Sequence, residues 1–264
     1  MNFSDYQCIE FARDGRVLTI RLNRPQQRNA VNAQLHQELS RVFTDAQRDP
    51  GSDVIVLTGN GQAFCAGGDI DWMQRSVDEP AEFERTAREA KDIVFTQLDL
   101  EKPLICRLNG HATGLGASLA LLSDIVIASD AAKIGDPHVR VGLVAGDGGA
   151  LIWPQLVGYA KARKYLFTGD LMSAAEAERM GLITEVVPAQ ELDAAVHALA
   201  QKLVQGATKA IRWTKITTNL PLKQLFHSYF DAGVAYECMS NMTRDHAEAV
   251  KAFSEKRAPV FTGL

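Results

Sequence analysis

The chain has 264 residues, of which 46% are hydrophobic and 23% charged, an ordinary globular composition that excludes a disordered or fibrous chain. With 28 Lys and Arg against 32 Asp and Glu the net charge is −4, so no overall basic field recruits nucleic acid or an anionic membrane. The length suits one large domain or a domain with an appendage.

From the N-terminus, MNFSDYQCIEFARDG shows no secretory signal, and no apolar run approaches the ~20 residues that span a bilayer. Cys8, Cys65, Cys106 and Cys238 are far apart with no CxxC spacing, which argues for reduced thiols and a cytoplasmic location over a disulfide framework or zinc site. Tyr6 to Phe11 and Val17 to Leu22 flank Asp14-Gly15 and predict a β-hairpin. Asn32 opens a helix in which Leu35, Leu39, Val42, Phe43 and Ala46 recur at helical spacing until Asp49-Pro50. DVIVLTG then reads as a buried strand, followed by a glycine-rich loop and a helix from Pro80 to Leu98.

The unit recurs. LICRLNG at 104–110 leads into a small-residue helix, and DIVIASD at 124–130 leads into GDPHVRVGLVAGDGG at 135–149 and the helix beyond. Repeated βα alternation with apolar strands implies parallel pairing with both faces covered. Ser173 and Glu176 read as a capping box, LITEVV at 182–187 as a last strand, and everything from Leu192 onward as helical. The expected division is therefore 1–191 as an α/β core and 192–264 as a helical region packing on it or on a neighbour.

Two strand-to-helix loops, AFCAGGDI at 63–70 and NGHATGLGASLALLSD at 109–124, are built from glycine and alanine. Free N–H groups at such turns bind developing negative charge; tight turns and close helix packing would explain the same composition. In 135–149, His138 stands nine positions before Asp147. Imidazole takes and returns protons near neutral pH, whereas an aspartate before GGALIWPQLVG also fits a helix cap.

Taken in order, NRP at 23–25 with Asn29-Ala30, FCAGGDI, NGHATGLGASLA with SDIVIAS, GLVAGDGG, LFTGD with SAAEAERMGLITEVV, and AVKAFSEKRAPVFTG resemble the enoyl-CoA hydratase/isomerase, or crotonase, superfamily. The resemblance spans nearly the whole chain. It implies an α/β crotonase spiral of ββα units with a C-terminal helical trimerisation region, as a homotrimer or a dimer of trimers. It also implies an acyl-CoA thioester substrate, with coenzyme A as part of that substrate and no prosthetic group or metal. The carbonyl would be polarised by two backbone N–H groups, on Ala66 and Leu115, with the Leu115 side chain turned away from the thioester. CoA would lie against Arg28, Ala30, Ala66, Asp69 and Ile70, and Phe253 and Lys256 would reach its adenine and phosphate end from an adjacent subunit.

Where hydratases carry two glutamates, this chain has Ser118 and His138. A serine hydroxyl is no general base without a partner, so Ser118 reads as packing or as a positioner of water. His138 reads as the main acid–base, and Asp147 as a cap, as an orienter of His138, or as a group that protonates or deprotonates substrate carbon directly. GDGGALIWPQLVG, with a histidine nine residues before its aspartate, further resembles crotonase-fold β-diketone hydrolases, which use a histidine–aspartate pair to cleave a C–C bond. The expected function is transformation of an acyl-CoA. Hydrolysis of a β-dicarbonyl, as a CoA ester or free diketone, is the rival, and a non-catalytic CoA- or RNA-binding protein the alternative of another class. Among lesser candidates, Asp136 before Pro137 reads as turn chemistry that could reach the pocket, His111 as a loop residue, and Trp72 and Met73 as acyl-pocket lining, with Trp153 behind it.

Overall fold

In the computed structural model, residues 3–79 and 81–264 are described. The chain opens with the antiparallel hairpin β1 (Ile9–Asp14) and β2 (Val17–Leu22). Its turn is Gly15-Arg16 rather than the expected Asp14-Gly15, because the left-handed position falls on Gly15 at φ 54°. Helix α1 (Ala33–Arg48) starts where expected, with the Asn32 side chain accepting from the Leu35 N–H at 2.9 Å. Strand β3 (Val54–Gly59) is buried throughout.

A short helix that periodicity did not reveal, α2 (Ile70–Asp78), follows the first glycine-rich loop. Pro80, the expected start of the next helix, lies outside the described residues, and that helix, α3, runs Glu82–Asp99. Then come β4 (Leu104–Leu108), β5 (Ala112–Thr113), α4 (Leu115–Leu121), β6 (Ile125–Ser129) and β7 (Lys133–Gly135). A 3₁₀ turn at His138–Val141 precedes α5 (Gly149–Thr168), β8 (Met172–Ser173), α6 (Ala174–Met180) and β9 (Glu185–Val187). Helices α7 (Leu192–Val204), α8 (Thr208–Asn241) and α9 (Arg244–Ser254) complete the chain.

The main sheet has the order β1-β2-β3-β4-β6-β9 and is parallel from β2 onward. A smaller sheet, β5-β7-β8, stands beside it. Alternation along β3 divides the core. Ile55 and Leu57 face Leu35, Leu39 and Phe43 of α1, while Val54 and Val56 face Leu192, Val196 and Ala200 of α7. Each such side chain contributes roughly 1.5–3 kcal/mol by leaving water. The helical stretch expected from Leu192 onward thus begins with an element that closes the core of the first 191 residues.

The capping box is half made. The Ser173 hydroxyl accepts from the Glu176 N–H at 3.2 Å, but the Glu176 carboxylate accepts from Tyr165 Oη at 2.7 Å instead of reaching back. Only the end of LITEVV is strand; Leu182 and Ile183 turn into the core. Among the described residues no helix is long and apolar enough to cross a membrane.

The small sheet binds the two glycine-rich loops together. Cys65 bridges Ala112, with the Thr113 N–H donating to the Cys65 carbonyl at 3.0 Å, and Val31 bridges Gly68 from the other side. At Gly110 the loops cross so closely that a Cβ would lie 2.0 Å from the Gln62 carbonyl oxygen. Backbone cannot yield as a side-chain tip can, so Gly110→Ala is expected to cost at least ~1–3 kcal/mol. A lowered denaturant midpoint in equilibrium unfolding checks this.

Candidate active site

A groove of about 520 Å³ runs over the first loop and is lined by Arg28, Ala30, Ala66, Asp69, Ile70 and Phe253, among others. It meets, at Gly68, Met73 and His138, a narrower cavity of about 80 Å³. That inner cavity is walled by Trp72, Leu115, Leu143 and Val234 and carries His138, Asp147 and Glu237. Since ~10–15 Å³ of such volume holds one water, it suits a short group rather than a long chain.

The two glycine-rich loops differ from expectation in one donor. The Ala66 N–H already donates to the Arg28 carbonyl at 3.1 Å, so it has no proton to offer a ligand. Two residues on, Val31 takes the Gly67 carbonyl and offers its own carbonyl to the Asp69 N–H. Among the described residues the Gly68 N–H between them has no acceptor, and neither has that of Leu115 in the first turn of α4. Gly68 lines both spaces, and Leu115 lines the inner cavity.

The proton-transfer groups come from three separate turns. Asp136 ends the segment after β7, and its Oδ1 accepts a very short hydrogen bond from His138 Nδ1. That leaves the other ring nitrogen, Nε2, facing Asp147 Oδ2 at 3.5 Å. Asp147 is held in turn: its Oδ1 accepts from Ser118 Oγ at 3.0 Å and, at the edge of bonding distance, from the Gly149 N–H at 3.5 Å. The Ser118 hydroxyl thus orients Asp147. Both readings of Asp147 have a contact here: Oδ1 reaches the Gly149 N–H at the start of α5, whose cap position is Gly148, while Oδ2 faces the imidazole.

Space for the ring comes from Gly114, at φ 54°, where a Cβ would stand 3.3 Å from His138 Cε1. Gly149 makes room for Asp136 in the same way, since a Cβ there would meet Asp136 Oδ2 at 2.0 Å. Asp136 is fully buried, and this Oδ2 has no partner among the described residues.

Charge in this pocket is interdependent. Burial alone would keep His138 neutral, but the carboxylates of Asp136 and Asp147 outweigh it and raise the imidazole well above its ordinary value. Burial pushes the Asp147 carboxyl up, against the pull of the His138 cation. Glu237, on α8, is pushed up to about 8 by burial, with Asp147 and Asp136 adding to the rise. It is therefore mostly a neutral acid at pH 7, able to donate. Asp136, His138 and Asp147 bring ligand atoms within 4.8 Å of one another. The two carboxylates engage opposite ring nitrogens.

Of the other sequence candidates, Trp72 and Met73 line the inner cavity, and Trp153 is fully buried beside Tyr165. Asp69 lines the groove while capping α2 and pairing with Arg24 at 3.0 Å. Helix α9 buries Ala249, Val250 and Ala252 and packs on α2 of its own chain, which puts Phe253 in its own groove. Lys256, one turn on at φ 55°, is exposed and does not line that groove. Sequence reasoning missed Glu237, whose helical setting carries no motif, and underrated Asp136, whose two-residue spacing from His138 was the available signal.

A model of the family described as enoyl-CoA hydratase/isomerase matches residues 12–263. A probable enoyl-CoA hydratase of Mycobacterium tuberculosis is 37% identical, covering 97% of this chain and 98% of its own. The crystal structure of an enoyl-CoA hydratase/isomerase from Mycobacterium paratuberculosis superposes with TM-score 0.89 at 35% identity, covering 92% of this chain and 97% of that one. A β-diketone hydrolase from the cyanobacterium Anabaena, bound to (S)-3-oxocyclohexyl acetic acid, superposes with TM-score 0.83 at 30% identity, covering 91% and 96%.

The Asp136 carboxylate should hold up the proton affinity of His138. Asp136→Asn is expected to lower the imidazole titration toward or below its ordinary value of ~6.5, because the neutral amide no longer stabilises the cation while burial still opposes it. Histidine NMR titration of the two proteins reads this shift directly.

Proposed function

The chain belongs to the enoyl-CoA hydratase/isomerase family of enzymes, and on that premise we propose that it transforms a short acyl-CoA thioester through an enolate. CoA lies along the groove of Arg28, Ala30, Ile70 and Phe253, and the acyl group enters the inner cavity. The thioester oxygen is received by the N–H groups of Gly68 and Leu115. Each such donor is worth roughly 3 kcal/mol to a developing oxyanion, since it is in place before the charge appears. The observation that carries this reading is that two unspent N–H groups share one cavity with the Asp136–His138–Asp147 relay.

His138 is the acid–base in place of the glutamate pair. Asp136 fixes its tautomer, so that Nε2 is the nitrogen that exchanges a proton, and Asp147, held by Ser118, stabilises the ring when it is charged. In the family's hydration reaction, His138 takes a proton from water as the oxygen adds to C3. The electron pair moves into the thioester enolate, and a proton returned to C2 completes the addition. Exposed Trp213, Tyr229 and Tyr236 on α8 support self-association as a homotrimer or dimer of trimers.

A second reading is favoured by the single imidazole between carboxylates and by the likeness to the β-diketone hydrolase. It is hydrolysis of a β-dicarbonyl. Water deprotonated at His138 adds to one carbonyl, the C–C bond breaks toward the other, and the enolate carbon takes a proton from the neutral Glu237 acid or from Asp147. This course needs one activated water and an enolate sink, and no second carboxylate base.

Product analysis with crotonyl-CoA, a β-ketoacyl-CoA and a cyclic 1,3-diketone separates the two reactions. His138→Ala is expected to keep acyl-CoA binding and lose ~10²–10⁴ in turnover. Unchanged turnover would remove His138 from the mechanism, and binding of all three without turnover would favour a non-catalytic protein. Because the base must be neutral and its pKa is raised, turnover should climb with pH above the ordinary histidine range.

A further inference from the structure

Asp136, His138 and Asp147 each bring one possible ligand atom to within 4.8 Å of the others, and their hydrogen bonds decide which atoms could share an ion. Asp136 Oδ1 accepts from His138 Nδ1, so Nδ1 carries the hydrogen and Nε2 of the neutral ring keeps a lone pair. Ser118 Oγ donates to Asp147 Oδ1 at 3.0 Å, which leaves Oδ2 facing that lone pair. Nε2 and Oδ2 stand 3.5 Å apart, beyond the ~2.7–3.2 Å of a good N–H···O bond. That spacing suits two ligands of one small cation. With metal–ligand lengths of ~2.0–2.2 Å, a separation of 3.5 Å subtends about 115° at the ion, near the tetrahedral angle that zinc adopts.

Charge and support point the same way. His138 and Asp147 are only 9% and 6% exposed, and both line the inner cavity with Glu237. Glu237 Oε2 lies 2.8 Å from the point where a Cβ on Gly146, the neighbour of Asp147, would stand. Two carboxylates around one imidazolium leave a negative charge in excess, and burial with the nearby Asp147 and Asp136 drives Glu237 to its neutral acid. A dication in place of the ring proton balances the two aspartates and gives the Glu237 carboxylate a partner. Imidazole among carboxylates suits zinc, whereas magnesium and calcium favour all-oxygen shells. A carboxylate on the far ring nitrogen, as Asp136 provides, is what generally orients a metal-binding histidine.

We propose that His138 Nε2, Asp147 Oδ2 and the Glu237 carboxylate form a zinc site on the wall of the inner cavity, with a water from that cavity completing the shell. Zn²⁺ takes the lone pair that otherwise receives a proton, so the zinc-bound protein has no base at His138. The site is independent of which substrate the cavity accepts. A second histidine–aspartate pair, His197 Nδ1 and Asp14 Oδ2 at 3.4 Å, has a similar spacing, but its side chains are 62% and 70% exposed. It serves as the control for adventitious binding at the surface.

The test is calorimetric titration of the intact, chelator-treated protein with Zn²⁺, repeated with excess Mg²⁺ present. A saturable site that Mg²⁺ does not displace is expected. His138→Ala should abolish it, and Glu237→Gln should weaken it. Asp136→Asn should weaken it ~10–100-fold, the usual effect of losing the group that orients a histidine ligand. His197→Ala should leave it unchanged. Co²⁺ in place of zinc should give the intense visible absorption of a four-coordinate ion, bleached when Zn²⁺ is added. Absence of a site, a site that survives in His138→Ala, or the weak spectrum of six-coordinate Co²⁺ would each overturn the inference. Loss of binding in His197→Ala would overturn it too, by assigning the zinc to the surface pair. The wild-type titration and the Co²⁺ spectrum do not depend on any variant folding.

Discussion

The constraint on which the site depends is the backbone lacing of its two glycine-rich loops. Cys65 pairs with Ala112 on one side and Gly68 with Val31 on the other. This pairing consumes the N–H groups of Cys65, Ala66 and Asp69 while leaving that of Gly68 open. Leu115 is open for a different reason, as the first residue of a helix has no preceding turn to bond. The small sheet and these bridges fix the backbone of both loops, with Gly68 and Leu115 lining one cavity.

The second requirement is a buried imidazole with a definite tautomer. Asp136 and Asp147 contact opposite nitrogens of His138, and neither carboxylate is free to move. Ring and carboxylates stabilise one another's charged forms in a pocket that burial makes hostile to all of them. Glu237 cannot share in that pairing and is held neutral instead. One cavity thus contains an imidazole whose proton affinity the two carboxylates raise and a carboxyl that burial keeps mostly protonated at pH 7.

Much of this was legible in the linear chain. The Asn32 cap, the helix that follows it and the apolar strands depend on neighbours within a few residues, and they form as read. His138, Asp147, Ser118 and the two loops were identified as the residues to watch, and the fold brings them together. The roles were less legible. Ala66 and Gly68 are equally plausible donors in FCAGGDI until the partner of each N–H is known, and that partner belongs to residues 28–31. Ser118 read as packing or as a positioner of water because its contact with Asp147 lies 29 positions away.

By itself the sequence determined the family, the βα alternation and the presence of an imidazole, His138, nine positions before Asp147, because these are carried by residue identity and short spacing. Only the tertiary structure decided which N–H groups remain unspent, that Asp136 holds the ring, that Glu237 enters the cavity from α8, and that Phe253 lines the groove of its own chain. The physical reason is common to all four. Hydrogen-bond accounting, desolvation and charge coupling are set by which atoms lie within a few ångströms, and for these residues the decisive neighbours come from distant parts of the chain.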